Sequence, residues 1–77
     1  MNIVEVDVEL PFKSSWMYIP AEVKILEEND EFYVIEILRP SGLKGLITKV
    51  PKYIIDELRI IPFEYIEQGI ENKILIE

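Results

Sequence analysis

Three strings decide how this chain folds: Trp16-Met17-Tyr18-Ile19-Pro20-Ala21-Glu22-Val23, Phe32-Tyr33-Val34-Ile35, and Leu58-Arg59-Ile60-Ile61-Pro62. Each is short, apolar and rich in β-branched or aromatic residues, as strand positions favour. Turn-forming residues separate them. Short strands at this spacing, with little helix between them, predict a small five-stranded barrel.

Working outward, the stretch before Trp16 alternates strictly. Val4, Val6, Val8 and Leu10 fall on one side and Glu5, Asp7 and Glu9 on the other. Period two with β-branched residues predicts a half-buried strand over 3–10 with its carboxylates in solvent. Pro11 is read as its stop. Residues 12–19 then read as a long loop anchored by Phe12, Trp16 and Tyr18. Alternation resumes from Ala21 to Glu27 and again from Phe32 to Leu38. The charged cluster Glu28-Asn29-Asp30-Glu31 between them predicts an exposed hairpin turn. Arg39-Pro40-Ser41-Gly42 is a second turn signal, and Gly45 suggests a bulge or a tight start to the next strand, Leu46–Val50. Pro51 suits a first helical position, so one helical turn is expected over 52–57. A fifth strand is expected at Leu58–Ile61, ended by Pro62. The tail reads two ways over Phe63–Gln68, as a short helix stopped by Gly69 or as a continuing strand. Ile74-Leu75-Ile76 suits a final edge strand. The expected organisation is one domain over 1–77, with a barrel core at about 3–62 and a C-terminal extension at 63–77.

Composition narrows the chemistry. Seventy-seven residues with no Cys and no His must be stabilised by an apolar core or a partner subunit, without disulfides. The commonest general base and the commonest soft nucleophile are both missing, so no enzymatic activity is expected. The carboxylate pairs Glu27/Glu28, Asp30/Glu31 and Asp56/Glu57 read as solvated turn or strand residues. The Glu5/Asp7/Glu9 row lacks the convergent loop of a calcium site, so no metal and no cofactor are expected. The start Met1-Asn2-Ile3-Val4-Glu5 has no basic and apolar leader pattern, and the apolar runs are too short for a membrane span. With Cys absent, this predicts a cytoplasmic, non-membrane protein.

Charge is uneven. The chain carries 15 acids against 8 bases, a net −7, the opposite sign to a general nucleic-acid binder. Yet 37–55 contains no acid, while Arg39, Lys44, Lys49 and Lys52 all lie there. Two readings stay open: a basic surface loop, or a polyanion contact.

The residues around Trp16 also resemble a known family. An aromatic, a Pro20-Ala21-Glu22-Val23 strand, a Phe32-Tyr33-Val34-Ile35 return strand and Asp56-Glu57-Leu58-Arg59 ahead of Pro62 are similar to Tudor-type and agenet-type modules, which are SH3-like barrels. The resemblance spans 16–62, and a small barrel of the OB or Sm kind would give similar strings. It implies a mainly β fold and a non-enzymatic interaction module whose aromatics hold a cationic group of a protein partner. Ring faces attract a weakly hydrated cation by about 0.5–2 kcal/mol. The ligand-binding candidates are Trp16, Tyr18 and Tyr33, with Phe32 beside them; the competing reading has these rings simply filling a small core. Two alternatives remain at this stage. One is a nucleic-acid-associated barrel using Arg39, Lys44, Lys49 and Lys52. The other is an acidic nucleic-acid mimic or inhibitor from a mobile element. A homodimer through an uncovered strand edge is a further expectation.

Overall fold

The computed structural model describes residues 2–76, and side-chain burial through Lys73. The fold is mainly β. Five strands form one curled sheet: β1 (Ile3–Phe12), β2 (Ser15–Glu28), β3 (Phe32–Arg39), β4 (Ile47–Pro51) and β5 (Ile60–Ile61). Their order is β4-β3-β2-β1-β5. Neighbours run antiparallel except β1 and β5, which pair in parallel through Asp7–Ile60 and Val8–Ile61. The result is a mixed half-barrel, compatible with an SH3-like barrel. A C-terminal helix, α1 (Phe63–Ile76), completes it.

The alternation read from the sequence sets which side chains face inward. Val4, Val6 and Val8 of β1 lie opposite Val23, Ala21 and Ile19 of β2. Val23, Tyr33, Ile35, Ile37 and Val50 continue the same inner face across β2, β3 and β4. Ile54, Ile55, Ile61 and Ile66 close it, each almost wholly buried. The core is thus built mostly of Ile and Val, whose branched side chains lose little rotamer freedom on a pleated surface. Among the described residues Thr48 is the buried polar one; its hydroxyl donates to the Tyr65 carbonyl of α1 at 2.8 Å. That bond ties β4 to the helix without leaving a polar group unsatisfied.

Several sequence expectations need correcting. Pro11 does not end the first strand, and 12–19 is not a long loop. β1 runs to Phe12 and β2 begins at Ser15, so Lys13-Ser14 forms a tight hairpin loop with Lys13 at φ 56°. Strand prolines are tolerated where pairing is one-sided. Pro11 lies beyond the β5 contact, and Pro20 lies before β2 meets β3 at Glu22. Both prolines therefore interrupt no ladder on their open side. The fifth strand is shorter than expected, because Leu58 ends a wide helical turn. There the Arg59 N–H donates to the Ile54 carbonyl at 2.8 Å, and Arg59 takes a left-handed conformation, φ 59°. Gly45 does carry a positive φ, 90°, where the chain turns into β4.

The C-terminal edge strand expected at Ile74-Leu75-Ile76 is absent; those residues lie in α1. Nor does Gly69 end a helix. It sits inside α1, buried, where the helix crosses β4. A β-carbon there would meet the Leu46 side chain at 2.7 Å, so the absence of a side chain sets how closely α1 approaches the sheet. Ile66 places α1 in the same core as the strands. The helix thus covers the open side of the half-barrel.

Candidate functional site

The β1–β2 hairpin has an unbroken register from Ile3–Lys24 to Phe12–Ser15. On its outward face the pairs Glu5–Glu22, Asp7–Pro20, Glu9–Tyr18 and Pro11–Trp16 follow one another. Trp16 and Tyr18 lie two residues apart on β2, so period two puts both rings on this face. They are 51% and 53% exposed. Trp16 touches the Phe63 ring at the start of α1, with centroids 6.1 Å apart and planes tilted by 47°.

Glu9 organises this end of the hairpin. The Tyr18 hydroxyl donates to one of its carboxylate oxygens at 3.0 Å, and the Phe63 backbone N–H donates to the other at 3.2 Å. The second bond satisfies a free donor in the first turn of α1, where negative charge is favoured. The first raises the Tyr18 phenol above its ordinary value, since ionisation would break the bond and bring two anions together. The aromatic pair, Glu9 and the helix start are therefore one connected unit.

Tyr33 does not join that unit. It pairs with Glu28, at the other end of β2 from Trp16. It is only 8% exposed, and its hydroxyl donates to Asp56 at 2.9 Å. The hydrogen bond to Asp56 is the main cause of its raised phenol value, with burial adding to it. The Lys52 ammonium already stands 5.2 Å from its ring centre. The physical reason for the separation is the length of β2, 14 residues, which places its two ends at opposite sides of the molecule. Phe32 is likewise engaged internally, by Lys49 at 4.2 Å.

The four basic candidates divide into two groups. Arg39 and Lys44 lie at one end of β3, whereas Lys49 stands opposite Val34, about 17 Å from Arg39 at ~3.3 Å per residue, and Lys52 follows Pro51, the partner of Phe32 at the far end. Lys52 makes a 2.6 Å ion pair with Glu28, and that bond is the main reason its ammonium is held above its ordinary value. Arg39 stands 3.9 Å from Glu22. No single surface gathers the four.

Sequence reasoning missed Arg59. The parallel β1–β5 contact brings it beside β1: Asp7 N–H donates to the Arg59 carbonyl at 2.8 Å, and the Arg59 guanidinium donates to the Glu5 carbonyl at 3.1 Å. Nothing local in the sequence signals this pairing, which joins positions more than fifty apart. Among the described residues no three potential metal ligands converge, and no helix is long and apolar enough to cross a membrane.

The geometry defines a small mainly β half-barrel with an outward aromatic and acidic face. No protein-family model matches the chain, and no curated protein or solved structure matches it either.

Proposed function

We propose that this protein is a non-enzymatic interaction module that binds a basic segment of a protein partner, using Trp16 and Tyr18 as the contact surface. The observation that supports this most is the half-exposed Trp16–Tyr18 pair on the same outward face as the carboxylates Glu5, Asp7 and Glu9, with Tyr18 directly opposite Glu9. Exposed aromatics grouped on one face mark a contact surface in a way that scattered apolar residues do not, and Trp and Tyr are favoured at such contacts. Neighbouring carboxylates suit a basic partner, and a net charge of −7 draws it in from a distance. The kinship to Tudor-type and agenet-type barrels belongs to this proposal. In it the site consists of Trp16 and Tyr18, while Tyr33 serves the core.

The test is titration of the protein with a lysine-rich peptide, read by Trp16 fluorescence. A saturable change that weakens with added salt is expected, and Trp16→Ala should abolish binding measured by calorimetry. A flat fluorescence trace with no heat of binding would sink the proposal.

A further inference from the structure

The outward face of the hairpin holds more than its aromatic end. Next to it lies a cleft of about 550 Å³ whose lining includes Glu5, Asp7, Pro20, Glu22, Arg39 and Arg59. That volume is within the range of ligand-binding clefts. Its charges are unequally committed. Arg39 is paired with Glu22, and the Arg59 guanidinium is held by the Glu5 main chain. Among the described residues, the Glu5 and Asp7 carboxylates have neither a hydrogen bond nor an ion pair within the chain. A main-chain carbonyl leaves the Arg59 charge intact, so the cleft holds three carboxylates against two guanidiniums, a net negative charge, and the Glu5 and Asp7 carboxylates are the ones free to receive a further cation.

The register connects the cleft to the aromatics. Asp7–Pro20 in the cleft and Pro11–Trp16 beyond it belong to the same face of one uninterrupted ladder. They lie two same-face steps apart, about 14 Å at ~3.4 Å per residue. An extended peptide has the same rise. Two of its side chains four positions apart point to one side and span that distance, whereas side chains three positions apart point to opposite sides.

We propose that this face is a two-point track for an extended basic segment of a partner protein. A lysine or arginine side chain enters the cleft between Glu5 and Asp7. An aromatic or apolar side chain four positions away lies on Trp16 and Tyr18. This rests on the interaction-module reading above and adds a spacing rule to it.

Two isomeric arginine-rich peptides test the rule. One sets each arginine four positions from a phenylalanine, and the other sets it three positions away. Calorimetry and Trp16 fluorescence give both affinities, for the natural protein and for the double variant Glu5→Gln/Asp7→Asn. Circular dichroism and a urea midpoint confirm that the variant is folded. The four-spaced peptide should bind about fivefold more tightly, the scale of one partly enclosed charge contact, and the double variant should lose that preference. Equal affinity for the two peptides, or a preference that survives the double variant, overturns the track and leaves the interaction module standing. No binding of either peptide overturns both. Sedimentation showing that a second copy of this chain occupies the face, with Trp16→Ala dissociating it, also overturns the track.

Discussion

Replacing Gly69 by alanine sets two known effects against each other. Glycine inside a helix is about 1 kcal/mol worse than alanine, so helix propensity alone predicts stabilisation. The packing predicts the reverse. The added β-carbon would lie 2.7 Å from Leu46 Cδ2, 2.9 Å from Leu46 Cγ and 3.1 Å from the Ile47 carbonyl oxygen. Leu46 is only 5% exposed, so its side chain has little room to withdraw, and the carbonyl belongs to β4 itself. Forcing a methyl into such a site costs roughly 1–3 kcal/mol. Taking the middle of that range, Gly69→Ala should destabilise by about 1 kcal/mol, or about 4–8 °C in Tm for a domain of this size. Urea denaturation followed by far-ultraviolet circular dichroism measures it. The decisive comparison is the same substitution in a Leu46→Ala background. There the main collision is gone, and the helix preference of up to ~1 kcal/mol should reappear as a gain. If Gly69→Ala stabilises the natural protein as much as it stabilises the Leu46→Ala variant, the close approach of α1 to β4 is refuted.

Three further outcomes can be measured on the same material. Lys13→Gly should raise stability by about 0.5–1 kcal/mol, because glycine accepts the positive φ of the hairpin loop without a β-carbon penalty; a lower urea midpoint would contradict the turn geometry. Thr48→Val should cost about 0.5–1.5 kcal/mol by removing the hydroxyl bond to the Tyr65 carbonyl, and an unchanged midpoint would mean that this bond contributes nothing. Alkaline pH should weaken the fold. Tyr18 and Tyr33 are raised above the ordinary 10.0 chiefly by the bonds they donate to Glu9 and Asp56, and Tyr65 chiefly by burial. A raised folded-state value means that the folded protein holds the phenol proton more tightly. Stability from these groups is therefore intact below about pH 10 and is lost as pH rises through the folded values. Urea midpoints that stay constant from about pH 9 to 11 would exclude this, and Glu9→Gln should bring the Tyr18 titration down, as seen by ultraviolet difference absorbance.

Strand alternation made much of the sheet legible. Val4/Val6/Val8 and Ala21/Val23/Ile25 each mark an inner face through period two alone; that Trp16 stands beside Tyr18 on a strand was hidden, because 12–19 reads as a loop. What the sequence obscured depends on neighbours distant in the chain. Pro11 reads as a stop unless one knows that β1 has an open side there. Ile74-Leu75-Ile76 reads as a strand because β-branched residues favour one, yet Phe63, Ile66 and Ile70 carry a helical spacing that the glycine at 69 disguises. Tyr33 looks like a companion of Tyr18 until the length of β2 separates them. The cleft was invisible for the same reason: Arg59 reaches β1 only through the β5 pairing.

That pairing also bears on how the molecule assembles and loosens. β1, β2 and β3 meet through successive hairpins, contacts that close over short loops and so form at little entropic cost. The seam between Asp7–Val8 and Ile60–Ile61 is the opposite case, two residues long and dependent on bringing together distant parts of the chain. It should therefore be among the last contacts made in folding and the first to open in the native state. Hydrogen exchange would show this as an early loss of protection at the Asp7 amide, while the amides of Val23 and Ile35 in the centre of the sheet stay closed. Because Arg59 sits at that seam, each such opening would also dismantle one wall of the cleft.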